Sequence, residues 1–598
     1  MSSAFTVVDY IVFIGVVVIS FAIGVYFAIV DKRKQTTSPE EYFLAGRKSK
    51  LLPVMFSYIV TFQSSILYLG FPAEGYIYGP MYAFYGLSKF ITLLFTAYFI
   101  VPVFHPLKLT SIYEYLNLRY GDNVLRILAM TFGAVYQVFY MSTVTYGTCV
   151  ALEVVMGIPY WITIILYTSV TAVYTSIGGI KAVIWTDVFQ FVIMLTGFIA
   201  VFVKTTLVVG GFSDIIHYAG DRFTFMEFRF DPRIRLSFWN VTIGSLTSSL
   251  YFSYSQSAMQ RVYTLPTVKS AKMMYLLSIP IYAPLMVIAV LEGGFIFAYY
   301  AFKGCDIFAS GKVQNVNEIV PFAIIDIFQN QPGLPGLFIA ALSAAAFSTL
   351  SSCLSSLSAI VYQDIIKVIR PDMTPEFSTT ISRIVTLVFG VLALLVSFLL
   401  TSLPGSVIAL FQRCVACMDG PTCAIFLLSA MFKRATTKGV LLGALCGSAV
   451  ALWLNLGQLY SDLPKDPPLP PGPTYNCENN MTFNSEFDVP LTNTSAYEIW
   501  VNTNMSATNS VNESSNTVAE SGLIQLYRTS FVLFSFVGFL VSILVAIPAS
   551  LCTATNSTVD ERCLFSFRKH VLKEECDDSR GSNHERDKIH AEDETSLM

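Results

Sequence analysis

Apolar positions in this chain neither alternate nor keep to one helical face. They run on for about 20 residues at a time, separated by short polar stretches. A run of that length, wound as a helix, crosses the roughly 30 Å hydrocarbon core of a bilayer. Thirteen spans are predicted, near 8–30, 52–72, 80–104, 127–155, 159–179, 184–209, 237–259, 274–302, 320–362 (a loop, a helix and a span), 384–402, 405–432, 438–458 and 526–551. Continuous rather than alternating apolar runs exclude a β-barrel. The expected fold class is an all-α polytopic membrane protein.

Composition agrees. Hydrophobic residues make up 54% of the chain and charged residues 13%, against about 25% charged in soluble domains. The net charge of −3 offers no basic surface for nucleic acid. None of the 11 cysteines shows metal-site spacing: Cys414 and Cys417 form a CxxC, but inside an apolar run and without partner ligands. The opening MSSAFTVVDY has no basic stretch, so no cleavable signal peptide is expected.

Lys and Arg set the expected orientation. The loop 31–50 carries six of them, Lys433, Arg434 and Lys438 mark a second basic turn, and Lys367, Arg370 and Arg383 a third. These fall in alternate loops, which predicts an extracellular N-terminus and a cytoplasmic C-terminus. The loop 209–236 departs from the rule, with four Arg on the outer side among Asp and Glu. The expected organisation is a transporter core at 1–458, an extracellular loop at 459–525, a last span at 526–551 and a cytoplasmic tail at 552–598. The loop is Pro-rich at its entry and holds four glycosylation sequons, at Asn480, Asn493, Asn504 and Asn512. Glycan acceptors need the lumenal face, so loop chemistry and span parity agree. A fifth sequon, at Asn556, lies on the inner side and is expected to stay bare. Cys305 and Cys477 are the cysteines placed outside the spans on the external side, where they are candidates for a disulfide. The charged tail ends ETSLM, and Ser596 to Met598 fit strand addition to a PDZ groove; an uninvolved tail accounts for the same residues.

Polar residues inside the spans carry the candidate chemistry. In AALSAAAFSTLSSCLSS, residues 340–356, Ala345, Ser348 and Thr349 share one helix face. A tight helix–helix seam with back-bonded hydroxyls explains them. So does a sodium site, since a hard cation takes oxygen ligands. Such a site needs further carbonyls from a broken helix, because an intact helix uses its own. The second span, SYIVTFQSSILYLGFPAEGYIYG (57–79), is a candidate: TFQSS is polar, and Gly70, Pro72 and Gly75 are expected to weaken its outer end.

Several motifs carry a family resemblance. YTSIGGIKAVIWTDVFQ (174–190) resembles the signature of the sodium:solute symporter family, and QPGLPGLFIAALSAAAFSTLSS (331–352) resembles its sodium-binding helix. EEYFLAGR (40–47), TSIYEYLNLRY (110–120) and QSAMQRV (256–262) are similar too. The resemblance runs from about 8 to 455 and is nearest to the iodide, monocarboxylate and multivitamin branch. It implies about 13 helices with a five-plus-five inverted-repeat core of the LeuT-like kind, spans 2–6 and 7–11, and alternating access. It also implies a co-transported sodium ion held by the hydroxyls of Ser348 and Thr349 and the carbonyls of Val60, Gln63 and Ala345. Asp187 would guide the ion at the inner mouth; an N-cap for the following span is its structural alternative. Ser64 and Tyr146 match positions of a second sodium site, although Leu67 stands where the iodide carrier has Gln. Gln256 matches a polar position that faces substrate.

Arg413 and Asp419, in LFQRCVACMDGP (410–421), depart from the pattern. Ionisable groups at membrane depth are costly and often functional. Six residues apart, they sit about 240° around a regular helix, so pairing would need a break at Gly420–Pro421. Arg413 is a candidate for a substrate carboxylate, or else it snorkels. Glu74 is expected at the outer rim, and Glu292 has no assigned role.

The expectation is a plasma-membrane sodium-coupled symporter importing a small organic anion, a monocarboxylate or vitamin-like acid. A carrier of a neutral or cationic solute, or a non-transporting sensor, would keep the same motifs. No selectivity ring marks a channel, and no acid, base or metal cluster marks an enzyme.

Overall fold

The computed structural model describes residues 5–33, 39–401, 406–461, 467–477, 522–553 and 560–565. Regular structure among them is helical throughout. The long helices are α1 (Val7–Arg33), α2 (Leu51–Thr61), α3 (Phe71–Tyr78), α4 (Pro80–Leu107), α5 (Val124–Met156), α6 (Tyr160–Val209), α7 (Phe238–Tyr254), α8 (Gln256–Thr264), α9 (Val268–Lys303), α10 (Leu334–Ile360), α11 (Pro375–Leu400), α12 (Val407–Met431), α13 (Thr437–Tyr460) and α14 (Phe534–Cys552). Hydroxyl caps start several of them: Ser237, Thr267, Thr374, Ser406 and Thr436 each accept from a backbone N–H in the first turn of α7, α9, α11, α12 and α13.

Ten described helices are long and apolar enough to cross a membrane, and the bent pair α2–α3 makes eleven. Two breaks bring the count to the thirteen expected. At 50 residues, α6 would be about 75 Å long, over twice the hydrocarbon thickness. It is two spans meeting at Gly179, whose φ 59°, ψ −171° is not helical. The pair α7–α8 is interrupted at Ser255 (φ −54°, ψ 159°) and buried almost throughout. That burial explains how a span so rich in Ser, Thr and Gln is tolerated: it faces protein rather than lipid.

The breaks fall at corresponding places. One interrupted helix opens the set α2/α3, α4, α5 and the halves of α6. The other opens the set α7/α8, α9, α10, α11 and α12. These are the five-plus-five repeats, with α1, α13 and α14 outside them. The core is centred on α10, whose span Leu334–Ile369 has 94% of its most apolar window buried, against 11% for α1.

The first break falls within the polar stretch TFQSS, while the outer end expected to be weakened by Gly and Pro is regular helix. The chain leaves the helix at Phe62–Ser64 and bends by 55°, while Gly70, Pro72 and Gly75 lie in continuous helical turns. Pro72 stands at the N-terminal end of α3, where its missing N–H is harmless. Gly75 serves packing: a Cβ there would stand 2.1 Å from the Val290 carbonyl oxygen, and one on Gly293 would stand 2.0 Å from that of Pro72. These contacts hold α3 tightly on α9.

The Arg-rich loop before α7 is internally paired. Arg229 pairs with Glu227, Arg233 with Asp231 and Arg235 with the buried Glu74 of α3. The Arg233 fork holds the Asp231 carboxyl down at about 2. A strap at 467–477 lies across α3: Leu469 N–H donates to the Ile77 carbonyl, Gly472 N–H to Asp306, and Cys477 is disulfide-bonded to Cys305.

Gly179 has a backbone conformation that side chains avoid, and a Cβ there would stand 3.0 Å from the Tyr42 carbonyl oxygen. Gly179→Ala should therefore lower stability by about 1–3 kcal/mol. A drop in the Tm of the detergent-solubilised protein would show this, and an unchanged Tm would argue against the break.

Candidate functional site

The loop between α2 and α3 meets α10 at the centre of the molecule. Within TFQSS, side chains take over from the helical ladder. The Thr61 hydroxyl donates to the Ser57 carbonyl at 2.7 Å, Ile66 N–H donates to the Ser64 hydroxyl at 3.3 Å, and the Ser65 hydroxyl reaches the Val144 carbonyl of α5 at 2.8 Å. Carbonyls freed by the break accept from other helices: Thr349 Oγ1 donates to the Thr61 carbonyl at 2.9 Å and the Tyr282 hydroxyl to that of Phe62 at 3.4 Å. Val60 retains Gln63 N–H as a donor at 3.0 Å. Ala345, Ser348 and Thr349 of α10 are wholly buried, and Thr349 bonds this break directly. The arrangement offers two hydroxyls and a cluster of carbonyls, a donor set suited to a hard monovalent cation.

Asp187 lies one hydrogen bond from that cluster. It accepts from Ser348 Oγ at 2.6 Å and Ser57 Oγ at 2.5 Å, and Arg261 Nη2 of α8 stands 3.0 Å from it. Arg261 also donates to Ser57 Oγ at 2.7 Å and Ser352 Oγ at 2.6 Å. Both charged groups are fully buried. Asp187 sits inside the second half of α6, so it is not the N-cap of that span.

Beside the break lies a small, partly open cavity. Phe62 and Ser64 from the first broken span and Phe252 from the second line it, with Leu67, Tyr140, Tyr282, Phe411 and Gln412. A site between two discontinuous helices is where transporters of this architecture bind solute.

Several candidates fall elsewhere. Gln256 is not in the cavity; its amide pins an inner loop, donating to the Thr110 carbonyl and accepting from Ile112 N–H, both at 2.9 Å. Arg413 turns away toward α13, with Nη2 3.4 Å from Gln458 Oε1, while its neighbour Gln412 faces the cavity. Asp419 is buried between α7 and α14, accepting from Ser248 at 2.9 Å, Ser535 at 2.6 Å and Gly420 N–H at 2.7 Å. α12 runs unbroken through Pro421, so Arg413 and Asp419 do not pair. Of the second-sodium candidates, Ser64 lines the cavity, whereas Tyr146 lies beside Asn315 near the outer surface. Tyr140 instead lies beside Ser64 and Thr349. Cys414 and Cys417 are free thiols, and no metal-ligating cluster occurs among the described residues. Asn480, Asn493, Asn504, Asn512, Asn556 and Ser596 to Met598 lie outside the described residues.

Sequence reasoning missed Arg261, Lys89, Tyr140 and Gln412. For the two cations the signal was present, since each is an ionisable residue within a span. No pattern in a single chain marks which Tyr or Gln reaches a cavity.

Comparison with known proteins places this geometry in context. The sequence model of the sodium:solute symporter family matches residues 42–447. Over 588 residues the chain is 32% identical to sodium-coupled monocarboxylate transporter 1 of Homo sapiens, spanning 95% of this chain and 93% of that protein. It is 34% identical over 479 residues to sodium-coupled monocarboxylate transporter 2 of Mus musculus, spanning 79% and 76%. Its fold is similar to that of a Na+-coupled sialic acid symporter solved in a substrate-bound outward-open state, with TM-score 0.71 over 92% of this chain and 98% of that one, at 22% identity.

The buried Asp187–Arg261 pair yields a stability test. Arg261→Met leaves a carboxylate without its counter-charge and should destabilise by about 3–5 kcal/mol. Adding Asp187→Leu should recover most of that. Thermal unfolding of the single and double variants in detergent decides it; equal loss in both would mean that the two charges do not compensate each other.

Proposed function

Because this chain belongs to the sodium:solute symporter family, we propose that it imports a monocarboxylate or a similar small organic acid across the plasma membrane, driven by sodium. The observation that carries this is the bond from Thr349 to the broken second span, with Ser348 next to it on α10 and an aromatic cavity beside the break. The two hydroxyls and the carbonyls of Val60, Gln63 and Ala345 hold the ion. Asp187, already bonded to Ser348, draws it toward the inner side. Ion and solute share the same broken helix, so filling one site stiffens a wall of the other, and this links the sodium gradient to uptake. Each sodium charge moving inward adds about 2.3 kcal/mol per 100 mV of membrane potential.

A neutral solute is the second reading, and one observation favours it: no charged side chain lines the cavity.

The strap at 467–477 supports an orientation for the chain. The Cys305–Cys477 disulfide fits an oxidising face, which supports an extracellular 459–525 with its four sequons, an extracellular N-terminus, and a cytoplasmic 552–598 whose last three residues are free for a PDZ domain. The strap extends from the transporter core at 1–458, and 526–551 returns the chain across the membrane.

In oocytes under voltage clamp, lactate, pyruvate or nicotinate should evoke saturable inward current only with sodium present. Current evoked by glucose, inositol or choline but by no carboxylate would replace this reading with the second. The double variant Ser348→Ala/Thr349→Ala should raise the half-saturating sodium concentration at least tenfold at normal surface expression; unaltered sodium dependence would refute the ion assignment. Digestion of the surface protein with an N-glycosidase should lower its apparent mass, and removing the sequons at Asn480, Asn493, Asn504 and Asn512 together should abolish that shift.

A further inference from the structure

Lys89 lies in α4, fully buried, and its ammonium has no hydrogen-bond partner. Aromatic rings surround it instead. Nζ stands 4.6 Å from the ring centre of Tyr282, 5.7 Å from Phe252, 5.9 Å from Phe62 and 6.0 Å from Tyr58. The first three of these rings are walls of the cavity. The lysine thus stands one ring's thickness behind the cavity surface, at the junction of both broken spans.

An isolated ammonium in a water-poor interior is costly unless an anion compensates it. Ring faces supply part of that compensation, and no carboxylate of the protein supplies the rest: no Asp or Glu forms an ion pair with it among the described residues. Two other buried cations are paired, Arg261 with Asp187 and Arg235 with Glu74, while Arg413 turns away from the cavity toward Gln458. The cavity itself carries only neutral groups, Ser64, Gln412 and tyrosine hydroxyls among aromatic and aliphatic walls.

Resting on the reading of the cavity as the solute site, we propose that Lys89 is the anion-recognising charge of this transporter. A carboxylate bound against Phe62, Phe252 and Tyr282 lies within reach of its field in a low-dielectric setting, where a charge acts more strongly than in water. The apolar remainder of the solute packs on the rings. The Tyr282 hydroxyl is held to the Phe62 carbonyl by only a long 3.4 Å bond, so a small turn of that ring opens a direct path between ammonium and carboxylate. The selectivity that follows is for monoanions with a compact apolar body, against their neutral amides.

The test compares wild type with Lys89→Met, Lys89→Gln and Lys89→Arg in oocytes, using lactate against lactamide and nicotinate against nicotinamide, with surface biotinylation. Sodium-dependent charge movement without solute is recorded in each variant as a readout of an intact ion site. Wild type should carry the acids and refuse the amides. Lys89→Met and Lys89→Gln should raise KM for the acids at least tenfold and erase the preference over amides while keeping the sodium charge movement. Lys89→Arg should keep the preference even where uptake is slower, and it holds the proposal open to refutation should the neutral variants fail to reach the surface: an Arg variant that loses the preference at the surface overturns it. Unchanged KM and preference in Lys89→Met or Lys89→Gln, with acids carried by wild type, overturns the role of Lys89 alone. Wild type carrying only neutral solutes overturns both this inference and the carboxylate reading.

Discussion

Inside a bilayer no water replaces a lost backbone hydrogen bond, so a helix opens there only where protein groups receive what it releases. The stretch TFQSS (61–65) meets this demand with its own Thr and Ser side chains, with Thr349 from α10 and with Tyr282 from α9. The break is therefore also a meeting point. Carbonyls that cannot be left bare draw hydroxyls from other helices, and the oxygen-rich site that results is suited to sodium. The second broken span, at Ser255, supplies Phe252 to the same region and closes the cavity from the other side.

The same economy of satisfied groups governs the charges. Asp187 and Arg261 occupy the core as a pair, tied to Ser57, Ser348 and Ser352. Those serines belong to α2 and α10, so the pair couples the broken span, α6, α8 and the Ser348 face of α10 in one network. A change at Ser348 that alters its hydrogen bond to Asp187 is therefore felt across four helices. In the loop before α7, charges follow a different rule. Exposed Arg residues pair with acids two residues away, as Arg229 with Glu227 and Arg233 with Asp231, so the Arg-rich stretch is largely neutralised within itself.

Lys89 stands apart from both patterns. Its neighbours satisfy its shape and, through their ring faces, part of its charge, but its ammonium keeps three donors without an acceptor. In a structure where most buried polar side chains have partners, that imbalance sits where a solute anion would correct it.

How much of this was legible beforehand follows from the physics of each feature. Span number, the polar break in TFQSS, the shared face of Ala345, Ser348 and Thr349 and the family motifs depend on local order along the chain, where hydrophobic runs and helical spacing act directly. The packing role of Gly75 was not legible, because a close approach to α9 gives that glycine its use and only packing reveals the approach. Nor was the direction of Arg413 and Gln412: adjacent on one helix, they point about 100° apart, and which of them meets the cavity depends on how α12 is rotated against its neighbours. Gln256 is pinned to the inner loop by partners more than a hundred residues away, Thr110 and Ile112. By itself the sequence determined that this is a membrane-spanning helical transporter with hydroxyls facing a broken span, since desolvation of backbone and side chains is priced residue by residue. Only the tertiary structure decided which charges are paired, which rings wall the cavity and which lysine lies behind them, because those depend on the rotation and crossing of helices distant in the chain.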